Sequence, residues 1–287
     1  MQLRPVRHDP EALQQYAGLF ALCFAGARRS RRFSLEQLAW LYQHNPDGPA
    51  LGFDAFDQGQ LVAHYVLLPS RIRTASGEMR ALLSLNTATH PGWQGRGLFT
   101  LLASQALQTA REQGFGAAYG VANANSTPGF VRKLGFTLIA PLQAQVGLFR
   151  PAPVGATTPA CDFERVWTPQ SLHWRTHWPA NPVQTVAGPA GSLLLQARTG
   201  MPGLFATDQR IFQADAKAEP DRRRLAGPLQ LFVGLMPAPQ QPPGWWIDIP
   251  DRLKPSPLNL IFKPLQSGVP VPEAGRMRFG YLDFDAF

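Results

Sequence analysis

Cysteine is almost missing from this chain: Cys23 and Cys161 are the only two in 287 residues. Two cysteines cannot build a disulfide framework, and neither has the spacing of a metal-binding pair. Long apolar runs are missing too, none approaching the ~20 residues that cross a bilayer. Met1-Gln2-Leu3-Arg4-Pro5 opens no signal-peptide hydrophobic region. A cytoplasmic protein without a membrane span is therefore expected. Two phosphate-loop fingerprints are absent: there is no G-x-x-x-x-G-K-[ST], and Gly92, Gly95 and Gly97 do not make G-x-G-x-x-G. No Ser–His–Asp or Cys–His arrangement has supporting context. His173 and His177 lie four apart, but no third ligand is evident, so no metal is expected.

What is present describes a globular protein. Hydrophobic residues make up 45% of the chain and charged residues 16%, enough apolar material for one large or two ordinary domains. The net charge is +8, nearly all of it carried by arginine, and +6 of it falls in residues 1–150. A basic first half suits a polyanionic ligand. No long basic stripe interleaved with aromatics occurs, so nucleic acid is not the expected partner. Arg28-Arg29-Ser30-Arg31-Arg32 is the one basic cluster; it reads as a solvated loop ahead of a phosphate clamp. Nothing requires or forbids a homo-oligomer.

Taken in order, Leu13, Tyr16, Leu19, Phe20 and Cys23 have amphipathic-helix spacing over 11–27. A second helix starts at Ser34, where Gln37 completes a capping-box pattern, and stops at Asn45-Pro46. Its Trp40 and Tyr42 are either core or the wall of a cleft. Strands follow at 51–56 and 61–68 around the Asp57-Gln58-Gly59-Gln60 turn, then at Arg71-Ile72-Arg73 and from Leu82. Leu98, Leu101, Leu102 and Ala106 mark one face of a helix that ends at Gly114. A strand at 117–122, a helix from Thr127-Pro128 to Gly135-Phe136, and a strand at 137–149 broken at Pro141 complete this half.

Residues 151–160 read as a Pro- and Ala-rich linker. Beyond it come short β-like runs at 183–186, 192–197, 229–235, 245–249, 258–262 and 278–282. Trp174 with Asn181-Pro182 faintly echoes Trp40 with Asn45-Pro46. This echo supports a pseudo-duplication, in which residues 1–150 and 161–287 are two domains of one α/β (α+β) fold, the second degenerate. Gly188-Pro189-Ala190-Gly191 lacks the strand–helix context of a second phosphate turn.

The most informative stretch is 82–100. A Leu- and Thr-rich strand runs into His90-Pro91-Gly92-Trp93-Gln94-Gly95-Arg96-Gly97 and then opens the helix at Leu98. A helix N-terminus with bare amides is an anion site. Gln94-Gly95-Arg96-Gly97 with its preceding strand resembles the coenzyme A pyrophosphate loop, Q/R-x-x-G-x-G/A, of the GCN5-related N-acetyltransferases (GNAT). Phe99 stands where that family usually has a small residue. Asn125 and Lys133-Leu134-Gly135-Phe136 resemble the family's last motif, but Val131 stands where a thiolate-protonating tyrosine is common. Residues 34–149 further resemble a bacterial two-domain subgroup associated with surface-polysaccharide amino sugars.

That resemblance implies a GNAT fold, with a mixed central sheet flanked by helices. It also implies acyl transfer from acetyl-CoA to a small-molecule amine, possessing one catalytic centre. The main chain of Thr87, Ala88 and Thr89 would pair with pantetheine. Amides from Gln94, Gly95, Arg96, Gly97, Leu98, Phe99 and Thr100 would cradle the pyrophosphate, and Asn125 would touch the pantetheine arm. The general base is not evident: His64, Asp54 and Glu78 are candidates, each with a competing structural role. Phe279-Gly280-Tyr281-Leu282-Asp283-Phe284-Asp285-Ala286-Phe287 alternates aromatics and acids, the pattern of a last strand with packed aromatics. Asp283, Asp285 and the Phe287 α-carboxylate would then be either solvated or delivered to the cleft as base, as the terminal carboxylate is in some relatives. An aminoacyl or peptidyl transferase using charged tRNA, and a non-catalytic acyl-CoA-binding module, are the alternatives at this level.

Overall fold

The computed structural model describes residues 1–24, 33–149, 161–187, 192–211, 227, 229–238, 244–254 and 256–284. The Arg28–Arg32 cluster, the 151–160 linker and the 188–191 turn lie outside the described residues.

The central strand is β3 (Gln60–Thr74), buried at every position from 61 to 70. Its run Leu-Val-Ala-His-Tyr-Val-Leu-Leu does not alternate, because both faces of the strand are covered. β2 (Leu51–Asp57) and β4 (Gly77–Thr89) flank it antiparallel. β1 (Gln2–Pro5), which the sequence pattern did not announce, pairs with β2. On one face lie α1 (Pro10–Cys23), capped by Asp9, and α2 (Leu35–Tyr42), capped by Ser34. They bury Leu13, Tyr16, Phe20, Leu38 and Tyr42. The expected capping box does not close. Gln37 is buried and its Oε1 instead accepts the Ala180 N–H across the molecule.

The other face is covered by α3 (Leu98–Glu112), which buries Leu98, Leu102, Ala103, Ala106, Leu107 and Ala110. Leu101, expected on that face, is exposed. β5 (Ala117–Ala122) runs parallel to β4. The next helical segment is a π turn at Gly129–Lys133. Its entry is organised by Asn123, not Thr127: Asn123 Oδ1 accepts from the Asn125 and Ser126 amides, while the Thr127 hydroxyl donates to the Asn123 carbonyl. β6 (Thr137–Pro141) and β7 (Gln143–Phe149) then part at the expected break.

The second half supplies β8 (Phe163–Arg165), α4 (Pro169–Thr176), β9 (Gln184–Ala187), β10 (Ser192–Arg198), β11 (Leu204–Ile211), β12 (Leu229–Leu235), β13 (Gly244–Asp248), β14 (Asn259–Pro264) and β15 (Met277–Gly280). β8, α4 and β11 are additions to the sequence-based expectation. One mixed sheet links everything, in the order β6-β14-β5-β4-β3-β8-β15-β12-β11-β10-β9. Strands are exchanged across position 150. β14 lies between β5 and β6, while β7 leaves to pair with β12 and β13. Leu260, Ile261 and Phe262 of β14 are fully buried in the cores on the two faces of the first half's sheet.

The chain end departs from the expected strand. β15 stops at Gly280 and Tyr281–Asp283 is a 3-10 turn. Phe279, Tyr281 and Phe284 are packed as expected, but Asp283 turns inward. It accepts from the Gly280 amide at 2.7 Å, from Trp167 Nε1 at 3.2 Å and from Arg210. Burial opposes the Arg210 charge, and the Asp208 and Asp283 carboxylates overcome it, holding the guanidinium above its ordinary pKa. Asp283 is therefore a core ion-pair member and not a cleft acid. Asp285 and Phe287 lie outside the described residues.

Candidate active site

The turn into α3 is built by small local devices. His90 Nδ1 accepts the Gly92 amide at 3.1 Å and the His90 ring meets Trp93 edge-on, so this histidine shapes the turn. Gly95 and Gly97 have φ of +76° and +75°, the left-handed region that favours glycine. A Cβ at either would point into open space. Gly97 is the N-cap of α3 without any side-chain cap, and the first turn of the helix carries no acid. An uncapped helix start with no competing carboxylate favours an anion. Gln94, Gly95, Arg96 and Gly97 are exposed. Phe99 does not obstruct them, because its ring turns inward onto Phe130, 5.0 Å between centroids. There it fills the space over Gly129, where a Cβ would come within 2.8 Å of it.

β4 and β5 splay apart beside this turn. Their ladder ends at Ser84–Gly120, whereas β4 continues to Thr89 and β5 turns its other edge to β14. Residues 85–89 of β4 therefore pair with β3 on one side only among the described strands. A β-bulge starts the divergence: Asn86 and Thr87 together oppose Tyr65, and Asn86 takes φ +47°. The Thr89 carbonyl accepts from Cys23 Sγ and from Gln94 Nε2, both at 3.3 Å. Asn125 is exposed in the loop after β5, its amide held by Asn123.

His64 is not open to a substrate. It is fully buried, and both ring nitrogens are engaged: Nδ1 with Asp54 Oδ1 at 2.7 Å and Nε2 with the Tyr42 hydroxyl at 3.0 Å. The Tyr16 hydroxyl donates to Asp54 Oδ2 at 2.7 Å. Burial, with the neighbouring Asp54 carboxylate, pushes the Tyr16 phenol far above its ordinary pKa, so it remains a donor. Asn86 Nδ2 donates to the Tyr42 hydroxyl at 3.1 Å. Asp54, a second base candidate, is thus saturated inside the core. Glu78 is on the surface, ion-paired to Arg73 at 2.7 Å. The His173 and His177 rings stack, with centroids 3.9 Å apart, and no group of metal-ligating side chains occurs among the described residues. The sequence pattern missed Tyr16 and Asn86 as members of this cluster. The one available signal was an asparagine, tolerant of positive φ, inside a strand that is otherwise Leu- and Thr-rich.

An uncapped glycine turn, a splayed parallel strand pair and a bulge at the point of divergence thus lie side by side. A family model for the acetyltransferase (GNAT) domain matches residues 3–139. Residues 3–139 are thus similar to a GNAT acetyltransferase domain over just under half of the chain. No curated protein sequence matches the chain significantly. Among solved structures, a probable N-acyltransferase from Enterococcus faecalis superposes with TM-score 0.59 at 13% identity, covering 92% of this chain and 73% of that one. Eis1 from Mycobacterium abscessus gives TM-score 0.57 at 14% identity, covering 93% and 74%. A GCN5-related N-acetyltransferase from Anabaena variabilis gives 0.59 at 10%, covering 92% and 73%. At these identities the likeness is one of fold, and it extends over both halves of the chain.

The match over residues 3–139 and the shared fold support an acyl-CoA-dependent N-acetyltransferase that uses acetyl-CoA. The geometry fits that cofactor: an uncapped turn with glycine at 95 and 97 for a diphosphate, and a strand edge at 85–89, unpaired among the described strands, for an extended amide-bearing arm. No helix among the described residues is long and apolar enough to cross a membrane.

Proposed function

We propose that the chain acetylates a small-molecule primary amine by direct attack of the neutral amine on the thioester, in the cleft where β4 and β5 part. The single observation that carries this reading is the combination of the left-handed Gly95 and Gly97 with the splay beyond Ser84–Gly120. In this reading, the amides from Gln94 to Thr100 hold the pyrophosphate and the β4 edge at Thr87, Ala88 and Thr89 aligns the pantetheine arm. The Thr89 carbonyl already serves Cys23 and Gln94, so the pairing runs through the neighbouring main-chain groups. Asn125 borders the same opening. Acetyl-CoA supplies the activated acyl group; the chain orients it and excludes water.

Residues 161–287 are proposed as a degenerate second copy of the fold that walls the acceptor side. The Trp40–Trp174 stack, and a superposition on acyltransferase-fold structures that extends over residues of both halves, support this. An amino sugar, free or nucleotide-linked, is the acceptor implied by the sequence resemblance, and it rests on that resemblance alone. The test is thiol release from acetyl-CoA against a panel of amines that includes amino sugars and their nucleotide-linked forms. Turnover with any member supports the transferase. Tight acetyl-CoA binding without turnover on the whole panel would favour a binding module, and salt-sensitive binding of charged tRNA would favour an aminoacyl transferase.

A further inference from the structure

The buried chain Tyr16–Asp54–His64–Tyr42 ends on Asn86, the half-buried bulge residue of β4. With an Asp54 carboxylate at the inner end and His64 as the Nδ1–H tautomer, the hydrogen bonds run in one direction. The Asp54 carboxylate accepts both the Tyr16 hydroxyl and the His64 Nδ1 proton. His64 Nε2 then accepts the Tyr42 hydroxyl proton, and the Tyr42 oxygen is left to accept from Asn86 Nδ2. The His64 ring cannot swing away. Tyr16 and Tyr42 lie on it at 4.2 and 5.7 Å between centroids, and Phe20 meets it edge-on at 5.5 Å. At the outer end, Asn86 holds φ +47°, the left-handed region that asparagine tolerates better than other non-glycine residues and that its surroundings here hold in place. The bulge it forms lies just past the point where β4 leaves β5, so its geometry sets the course of the main chain at residues 86–87.

We propose that Asp54, His64 and Tyr42 are positioning residues: they pin the Asn86 side chain, and through it aim the bulge main chain at the thioester carbonyl. This rests on the acetyltransferase reading above. It gives His64 a role other than proton abstraction and explains why a histidine, a carboxylate and two phenols are spent inside an otherwise apolar core. A side chain with two fixed polar ends transmits position; an aliphatic one at 64 would fill the volume and deprive the Tyr42 hydroxyl of His64 as a partner.

The test needs no knowledge of the acceptor. Acetyl-CoA carrying carbon-13 in its acetyl carbonyl is bound to wild type, Tyr42→Phe, Asn86→Gly and the double variant. Affinity is measured by calorimetry and the thioester carbonyl stretch by isotope-edited infrared spectroscopy. Tyr42→Phe should keep acetyl-CoA affinity within a few-fold while losing most of the bound-state carbonyl shift. With an amine that turns over, kcat should fall roughly 10- to 100-fold, as for a misaimed donor. Whatever Asn86→Gly alone costs, adding Tyr42→Phe to it should cost less than in wild type, because glycine takes positive φ without a tether. An unchanged carbonyl stretch in Tyr42→Phe, or the same loss in both backgrounds, overturns the proposal. If Tyr42→Phe does not fold, Asn86→Ala reports the same link from the half-buried end and should show the same carbonyl change. Absence of acetyl-CoA binding in wild type defeats the acetyltransferase reading itself, a result separate from the others.

Discussion

The Trp40 and Trp174 indoles stack on one another, 4.4 Å between centroids and 16° between planes, and Trp174 Nε1 donates to the Trp40 carbonyl at 3.1 Å. One residue lies on α2 and the other on α4, in the stretches whose sequences echo each other. Trp178 extends the stack at 6.1 Å from Trp40. Trp174→Ala should cost about 3–5 kcal/mol, the usual range for losing a buried large aromatic. Trp174→Phe should cost less, because it retains part of the stack. Urea unfolding followed by Trp fluorescence and by circular dichroism checks both. Coincident transitions by the two probes are expected, since the stack and the exchanged strands couple the halves.

The strand exchange predicts the fate of a truncated chain. Ending at Arg150 removes β14 from between β5 and β6, with the buried Leu260, Ile261 and Phe262. Three such side chains are worth roughly 1.5–3 kcal/mol each, which together rivals the whole stability of an ordinary domain. The fragment should lack cooperative unfolding and bind no acetyl-CoA. A soluble, cooperatively folded 1–150 with wild-type affinity would show that the first half completes its own sheet.

Gly97 tests the anion turn. Gly97→Ala forces a left-handed Cβ, a strain of about 1–2 kcal/mol, so coenzyme A affinity should fall by about tenfold. Gly97→Asp adds a negative charge at the uncapped start of α3 and should lower affinity by roughly 100-fold or more. Calorimetry at fixed ionic strength measures both. Equal losses for the two variants would mean that charge at this turn is irrelevant.

Asp283 separates structure from catalysis at the chain end. Asp283→Ala leaves Arg210 buried with Asp208 as its remaining carboxylate partner in the cluster, and should cost about 3 kcal/mol of stability. At a temperature where the variant remains folded, kcat with acetyl-CoA and a turned-over amine should stay within a few-fold of wild type. A 100-fold loss of kcat without loss of stability, on the scale of a missing general base, would return this acid to the cleft.

Much of the first half was legible in the sequence because its signals are local. Ser34, Gly95, Gly97 and the helical spacing from Leu98 act within a few residues of themselves, and the structure places the turn and α3 where those residues put them. The inward Phe99 was legible only as permission; what it fills, the space above Gly129, is set by a segment thirty residues on.

The rest is decided by residues far apart in the chain. Gln37 has the spacing of a capping-box partner, yet its amide is drawn to Ala180 because burial between the halves offers a backbone donor there. His64 and Asp54 face each other only through the β2–β3 register, and Tyr16 and Tyr42 reach them from two helices. In sequence, Tyr16 and Tyr42 read only as large residues on two helices, with nothing to tie them to Asp54 or His64. A strand such as β14 carries no mark of its partners, since any apolar strand offers the same ladder of amides and carbonyls. The sequence by itself determined the glycine turn and the helices around it. Only tertiary packing decided that the second half completes the first half's sheet, and that His64 serves a buried chain ending at Asn86, because both depend on which distant surfaces exclude water together.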